Sequence, residues 1–374
     1  MLQVNVTRIT IKSGLTLGEH LLKIFHNRKY IPIAVGGSVV FGCIAFQVGN
    51  LLGAVVGLEL ISNIHQQWII LAIVLIASVL LWFGTTDIIV NFLGVVVALM
   101  GFVFIYIVFR IDLNISELFN SIRYPRIPIG AEIIAMGLIG TTIVPYNLFL
   151  GSGLSQGKNL KQSIMGIIVA ISIGGVISMA ILIVGTLTSA PLDFEHLSSV
   201  LAINLGPFAP WLLTIGLFSA GFTSCITAPL AAVYTLKSIF PNHQKFNSRS
   251  SAGYRLTWGA IMIFGLIFGL TNVKPIPAII LAQAINGIIL PFIASIVLII
   301  VIALQNKNRT GSVKLNEVLL TVVVFVIISI GVFNFLKVIA PTYESKIIVS
   351  LIVAGIVIIS ILWYSFSKRM YEKS

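Results

Sequence analysis

Eight consecutive residues, Gly140-Thr141-Thr142-Ile143-Val144-Pro145-Tyr146-Asn147, interrupt an apolar stretch running from about 132 to 152. That stretch has the length one helix needs to cross a bilayer. Pro145 removes a backbone donor and clashes one turn back, so a continuous helix is not expected there. Lipid leaves unpaired backbone groups unsatisfied, and a break at that depth survives only against protein or a solvated cavity. Freed carbonyls and side-chain oxygens at such breaks can hold a cation near the midplane. Thr141 and Asn147 supply oxygens of that kind, and Gln283, in a second apolar stretch, can offer an amide oxygen. An amide within a span can also do no more than bridge two helices.

The rest of the chain is poor in groups that do chemistry. None of the 11 acidic residues falls at the middle of an apolar stretch: Glu59 is near the end of its stretch and Glu132 opens the interrupted one. The five histidines, His20, His26, His65, His196 and His243, are scattered at stretch ends or between them, without ligand spacing, and read as solvated. Cys43 and Cys225 lie inside apolar stretches and read as small packing residues. Nothing points to an enzyme or to a bound cofactor.

The elements that must position these residues follow from composition. Apolar residues make up 58% of the chain and charged residues 9%, against roughly a quarter charged in soluble proteins. The chain therefore reads as an all-α integral membrane protein. Ten spans are expected, at about 31–62, 68–83, 88–109, 131–152, 162–188, 208–236, 256–271, 276–304, 318–338 and 346–366. Sorted by alternate flanks, one side holds only Arg110, Arg123, Arg126, Lys274, Lys337 and Lys346, and the other holds the rest of the 23 basic residues. The positive-inside rule then makes both termini cytoplasmic in a cell membrane. The net charge of +12 is thus a topology signal, with some contact to anionic lipid, and not a nucleic-acid footprint. Glycines inside the spans, including Gly174, Gly175, Gly216 and Gly221, suit close helix packing.

Gly140 to Leu150 resembles the sixth-helix signature of the Nramp family of divalent-metal transporters, which typically reads Gly-Ala-x-x-Met-Pro-His-Asn-Leu-Tyr-Leu-His. Ser219 to Thr227 resembles the family's eighth helix, and Ala282-Gln283 with Leu290-Pro291-Phe292 its tenth. The resemblance implies a LeuT-like inverted-repeat transporter whose substrate is a divalent cation. It implies metal contacts at Thr141, Val144, Asn147 and Gln283. Residues 1–30 match the end of the family's second helix and a cytoplasmic turn, 31–109 the remaining three helices of the first repeat, 131–304 the five-helix second repeat, and 318–366 two accessory helices. The family's first helix, with its Asp-Pro-Gly-Asn break, has no counterpart. An N-terminally shortened chain is therefore expected, of doubtful activity alone or completed by a separate polypeptide that supplies the missing helices.

Departures from the family pattern carry the mechanism. Val144 stands at the methionine position and cannot ligate through its side chain, whereas a thioether favours softer metals. Oxygen-only coordination suits hard ions such as Mg²⁺ or Mn²⁺. Gln47 and Asn50 occupy two acid positions of the family's proton route, and Tyr146 and Gly151 occupy its histidine positions. All four changes remove titratable groups, so cation transport without proton coupling is expected. A permease for an amino acid or other organic solute on the same fold remains the alternative, beside an inactive fragment.

Overall fold

The computed structural model describes the chain except for residues 60, 63, 84–85, 111–114, 125–130, 132–133, 135–137, 139–143, 187–193, 242, 247, 272, 305–310, 340–344 and 372–374. Among the described residues the regular elements are helices: α1 (Leu2–Ser13), α2 (Leu17–Ile24), α3 (Tyr30–Glu59), α4 (Gln66–Phe83), α5 (Thr86–Arg110), α6 (Ile115–Arg123) and α7 (Pro145–Ser155). They continue with α8 (Leu160–Gly185), α9 (Phe194–Leu205), α10 (Ala209–Ile239), α11 (Ala252–Gly269), α12 (Pro275–Leu304), α13 (Gly311–Ile339) and α14 (Lys346–Tyr371). Eight of these contain a segment long and apolar enough to cross a membrane: α3, α4, α8 and α10 to α14. The span expected at 88–109 falls within α5, whose described apolar part is Gly94–Arg110. The span expected at 131–152 lies largely outside the described residues before Val144.

At the centre, α3 crosses α10 and α12, and its interface with α10 is the most extensive among the described residues. Hydrophobic attraction between helices is weak in lipid, so close approach of backbones and shared hydrogen bonds must hold such a crossing. Glycines make it possible. A Cβ on Gly57 would lie 2.6 Å from the Phe218 nitrogen and 2.7 Å from the Thr214 oxygen, and one on Gly221 would meet the Asn50 oxygen at 2.7 Å. On the α12 side of α3, Gly42 abuts Asn286 and Gly49 abuts Ile279. Gly216 packs against Met100 of α5. Gly174 and Gly175 differ from expectation: nothing lies within 4 Å of a Cβ at either, because α8 turns most of its surface outward. They are not packing residues in this bundle.

The N-terminal segment is built in rather than loose. Leu2, Asn5, Val6, Thr7, Ile9 and Thr10 form the buried face of α1. Gly14 ends that helix in the left-handed region (φ 72°), where a glycine carries no Cβ penalty. Thr16 and Glu19 then form a capping box that starts α2. Thr10 Oγ1 lies 2.7 Å from Ser152 Oγ, which also accepts from the Leu17 N–H at 2.8 Å, so the α1–α2 turn is tied to α7. Asn5 and Asn316 exchange amide hydrogen bonds, joining α1 to α13.

One histidine corrects the sequence reading. His20 is buried, not solvated, with Nε2 2.8 Å from Ser13 Oγ. Ser13 donates its own proton to the Ile9 carbonyl, so Nε2 carries the histidine proton. His20 Nδ1 is buried with no hydrogen-bond partner among the described residues. Burial first, and then the Lys23 charge, hold this imidazole below its ordinary pKa of 6.5, with Glu19 opposing.

Candidate functional site

The candidate site gathers where α7 meets α3, α10 and α12. Val144 precedes α7 in an extended conformation (φ −93°, ψ 118°), and Pro145 occupies its first turn. Proline is tolerated there because the N–H it lacks has no intrahelical acceptor. Val144 is half-buried against the central apolar cluster, and its carbonyl accepts from the Asn147 N–H at 3.1 Å. It offers no side-chain donor. Asn147, in the same turn, is exposed. Thr141 lies outside the described residues, so its position relative to these groups is not described.

Tyr146 is buried and meets Phe46 of α3 edge-on, with ring centroids 5.5 Å apart. Gly151, one turn along α7, faces the side-chain amide of Gln3 at 3.5 Å from the position of a Cβ. On α12, Gln283 is half-buried, beside Ala282, which packs on Gly49. One turn further, Asn286 is buried with its Oδ1 against Gly42, and its Nδ2 has no partner among the described residues. Residues three apart share a helix face, so Gln283 and Asn286 present two amides to the same neighbourhood. Sequence reasoning missed Asn286, although its i+3 spacing from Gln283 was the available signal.

Gln47 and Asn50 lie on α3 between α10 and its neighbours. Gln47 is fully buried, and its Nε2 donates to the Cys225 carbonyl at 3.2 Å and to Met262 Sδ at 3.1 Å. The Cys225 carbonyl is available for a structural reason. In an uninterrupted helix it would accept from the N–H of residue 229, but Pro229 has none. Gln47 thus satisfies an acceptor that a proline within α10 leaves open. Gln47 Oε1, Asn50 Nδ2, Thr214 Oγ1 and Ser219 Oγ are buried without partners among the described residues. No group of three or more His, Cys, Asp or Glu side chains is placed to hold a metal among the described residues. What α3, α7, α10 and α12 bring together is a set of neutral oxygens and amides between apolar helices.

At the C-terminal end of α3, Glu59 lines one cavity of about 430 Å³ with Glu195 of α9 and Lys274 at the start of α12. Both carboxylates are far along the chain from the interrupted stretch, and sequence reading did not pair them.

A bundle of spanning helices built around α3, α7, α10 and α12 is the architecture of an inverted-repeat membrane transporter fold. The crystal structure of the Eremococcus coleocola manganese transporter in complex with an aromatic bis-isothiourea substituted compound superposes with a TM-score of 0.65 at 17% identity, covering 99% of this chain and 85% of that one. The family model for natural resistance-associated macrophage protein-like sequences matches residues 1–340, and the chain belongs to that family. The divalent metal cation transporter MntH of Verminephrobacter eiseniae is 26% identical over 244 residues, 60% of this chain and 56% of that protein. MntH of Staphylococcus aureus (strain JH9) is 23% identical over 338 residues, covering 81% of this chain and 74% of the relative. An uncharacterized membrane protein of Haemophilus influenzae is 23% identical over 334 residues, 83% of this chain and 78% of its own. The first of these matches thus spans little more than half of the relative's length.

Proposed function

We propose that this protein carries divalent cations across the membrane, with Mg²⁺ and Mn²⁺ as the favoured substrates. The observation that carries this reading is the chemistry of the α7 junction: a valine without a donor at 144, with Asn147 on the same turn and the amides of Gln283 and Asn286 on α12. Neutral oxygen donors favour hard cations, and a site without a thioether loses its advantage for soft ones. Thr141, at the alanine position of the family motif, would add its backbone carbonyl. The similarity to divalent metal cation transporters supports the substrate class.

Gln47, Asn50, Tyr146 and Gly151 stand where proton-carrying groups would be needed, and none of them exchanges protons readily at neutral pH. We therefore read transport as uncoupled from protons and driven by the electrochemical gradient, at roughly 2.3 kcal/mol per elementary charge per 100 mV. Both termini face the cytoplasm on this reading, as the basic flanks indicate. A dehydrated divalent ion also wants an anionic oxygen. We propose that a separate polypeptide supplies that ligand on helices of the family's first repeat.

Proteoliposomes loaded with both a metal-sensitive and a pH-sensitive dye test the proposal under a clamped potential. The expected result is saturable Mn²⁺ or Mg²⁺ influx without acidification, reduced in Asn147→Leu and Gln283→Leu and raised when the first-repeat helices are supplied. Flux no greater than in empty liposomes under both conditions would overturn the cation reading. Acidification that tracks metal influx would overturn the uncoupled one.

A further inference from the structure

A cavity of about 520 Å³ opens between α1 and the start of α8, away from the candidate cation site. Its lining divides into two chemistries. Arg8, Lys12 and Lys161 supply three positive charges, with Asn159 beside them, and Leu160, Ile164, Met165 and Ile168 supply an apolar wall. Arg8 and Lys12 are four residues apart on one helix, so their side chains share a face and repel each other. No side-chain hydrogen bond or ion pair satisfies Arg8, Lys12 or Lys161 among the described residues, and the cavity lining contains no acid. Glu19, the acid nearest to α1 in sequence, is folded onto Thr16 at 2.7 Å.

The apolar wall does not stop at the cavity. Residues 160, 164, 165 and 168 fall on one stripe of α8, and the helix continues outward-facing through Val169, Val176, Met179 and Leu182. A positively charged mouth at the polar end of a lipid-facing stripe matches a molecule with a phosphate at one end and an acyl chain running along the helix. A free anion would use the charges and leave the stripe unexplained. A protein partner would need acids over the charges and an apolar face over a helix that already faces hydrocarbon.

We propose that this groove is a specific binding site for an anionic phospholipid, its phosphate held by Arg8, Lys12 and Lys161 and one acyl chain laid along Ile164, Met165 and Ile168. Occupancy would clamp α1 to α8. Because α1 is tied through Ser152 to α7, the lipid would also steady the helix that carries Val144 and Asn147. The site is independent of which solute the protein carries.

Native mass spectrometry of the detergent-purified protein, titrated with phosphatidylglycerol or phosphatidylcholine, tests this directly. One phosphatidylglycerol is expected to stay bound under activation that strips phosphatidylcholine. Each basic residue near a membrane surface contributes about 1 kcal/mol, or roughly fivefold. The combined Arg8→Gln, Lys12→Gln, Lys161→Gln variant should therefore bind phosphatidylglycerol about a hundredfold more weakly. The combined Lys237→Gln, Lys245→Gln, Arg249→Gln variant, altered elsewhere on the same side, should bind as the parent does. Equal retention of the two lipids, or equal weakening in both variants, would overturn the proposal. So would displacement of the lipid by an equal concentration of inorganic phosphate, which would mark a free-anion site. A readout that spares the basic residues is Ile168→Trp, whose fluorescence should be quenched more by dilute brominated phosphatidylglycerol than by dilute brominated phosphatidylcholine. Equal quenching counts against the site.

Discussion

The bond from Gln47 to the Cys225 carbonyl makes a claim that single substitutions cannot test. Replacing Gln47 by Leu leaves a buried backbone acceptor without its donor, which costs about 1–3 kcal/mol. The same change removes Gln47 Oε1, itself buried without a partner among the described residues, and so relieves a penalty of similar size. The two terms nearly cancel, and Gln47→Leu alone could fall on either side of zero. A double-mutant cycle with Pro229→Ala separates them. An alanine at 229 restores the N–H that closes the helical bond to Cys225, so the carbonyl no longer depends on α3. The Oε1 relief and the lost Met262 contact occur in both backgrounds and drop out of the cycle. What remains is the orphaned carbonyl, and Gln47→Leu should be less costly by about 1 kcal/mol or more in the Pro229→Ala background. Reversible unfolding in mixed micelles, titrated with SDS, measures the four free energies. A coupling within about 0.3 kcal/mol of zero, the range of independent sites, would refute the idea that Gln47 substitutes for the proline's missing donor.

Gly221→Ala should cost about 1–3 kcal/mol, as over-packing does, because its Cβ would meet Ala54 and Asn50 backbone atoms; Gly174→Ala, facing open space, should cost nothing, and equal stabilities would contradict the α3–α10 crossing. His20 is held neutral by burial, so unfolding exposes a group that binds protons more readily, and stability should fall as pH drops below about 6.5 toward the lowered folded value. In His20→Gln, which keeps a donor to Ser13, that loss should vanish, and superimposable pH profiles would count against it. Val144→Met should raise competition by Cd²⁺ against Mg²⁺ by about one to a few kcal/mol, on the scale of a charge-assisted contact; unchanged competition would mean that residue 144 does not touch the ion. Single cysteines in the 237–255 segment should react only from the cytoplasm and those in the 189–206 segment, which includes α9, only from outside, against a silent background because Cys43 and Cys225 are fully buried. The reverse labelling would invert the orientation.

Helix positions were legible because apolar length alone nearly determines them in a chain with so few charges. The family was legible in short motifs: Pro145 and Asn147 in the interrupted stretch, Ser219 to Thr227, and Ala282-Gln283 with Leu290-Pro291-Phe292. What escaped the sequence were properties that depend on which face a helix turns inward. Gly174 and Gly221 are alike as letters, yet one faces open space and the other touches the backbone of α3. His20 sits in a polar segment and was expected to be solvated, but α2 packs against α3, α7 and α10, which buries the ring and leaves one nitrogen without a partner among the described residues. Asn286 carried only the weak signal of its spacing from Gln283. The link between Gln47 and Pro229 spans about half the chain, and no local pattern announces it.

That link also bears on why an amide stands at position 47. In the family resemblance this position belongs to an acid on a proton route, and the change could be read as a group that has merely been lost. The geometry gives the amide work of its own. An ionised carboxylate here would set its oxygen against the Cys225 carbonyl oxygen, two acceptors within 3.2 Å with no proton between them. A protonated acid could donate to that carbonyl, but its proton would then be held by the helix and not free to move. Glutamine donates permanently and cannot titrate. Once Pro229 leaves the Cys225 carbonyl open, position 47 can either staple α3 to α10 or relay protons, and it cannot do both well. On the proposed uncoupled mechanism the relay is unnecessary, and the staple is what the amide at 47 provides.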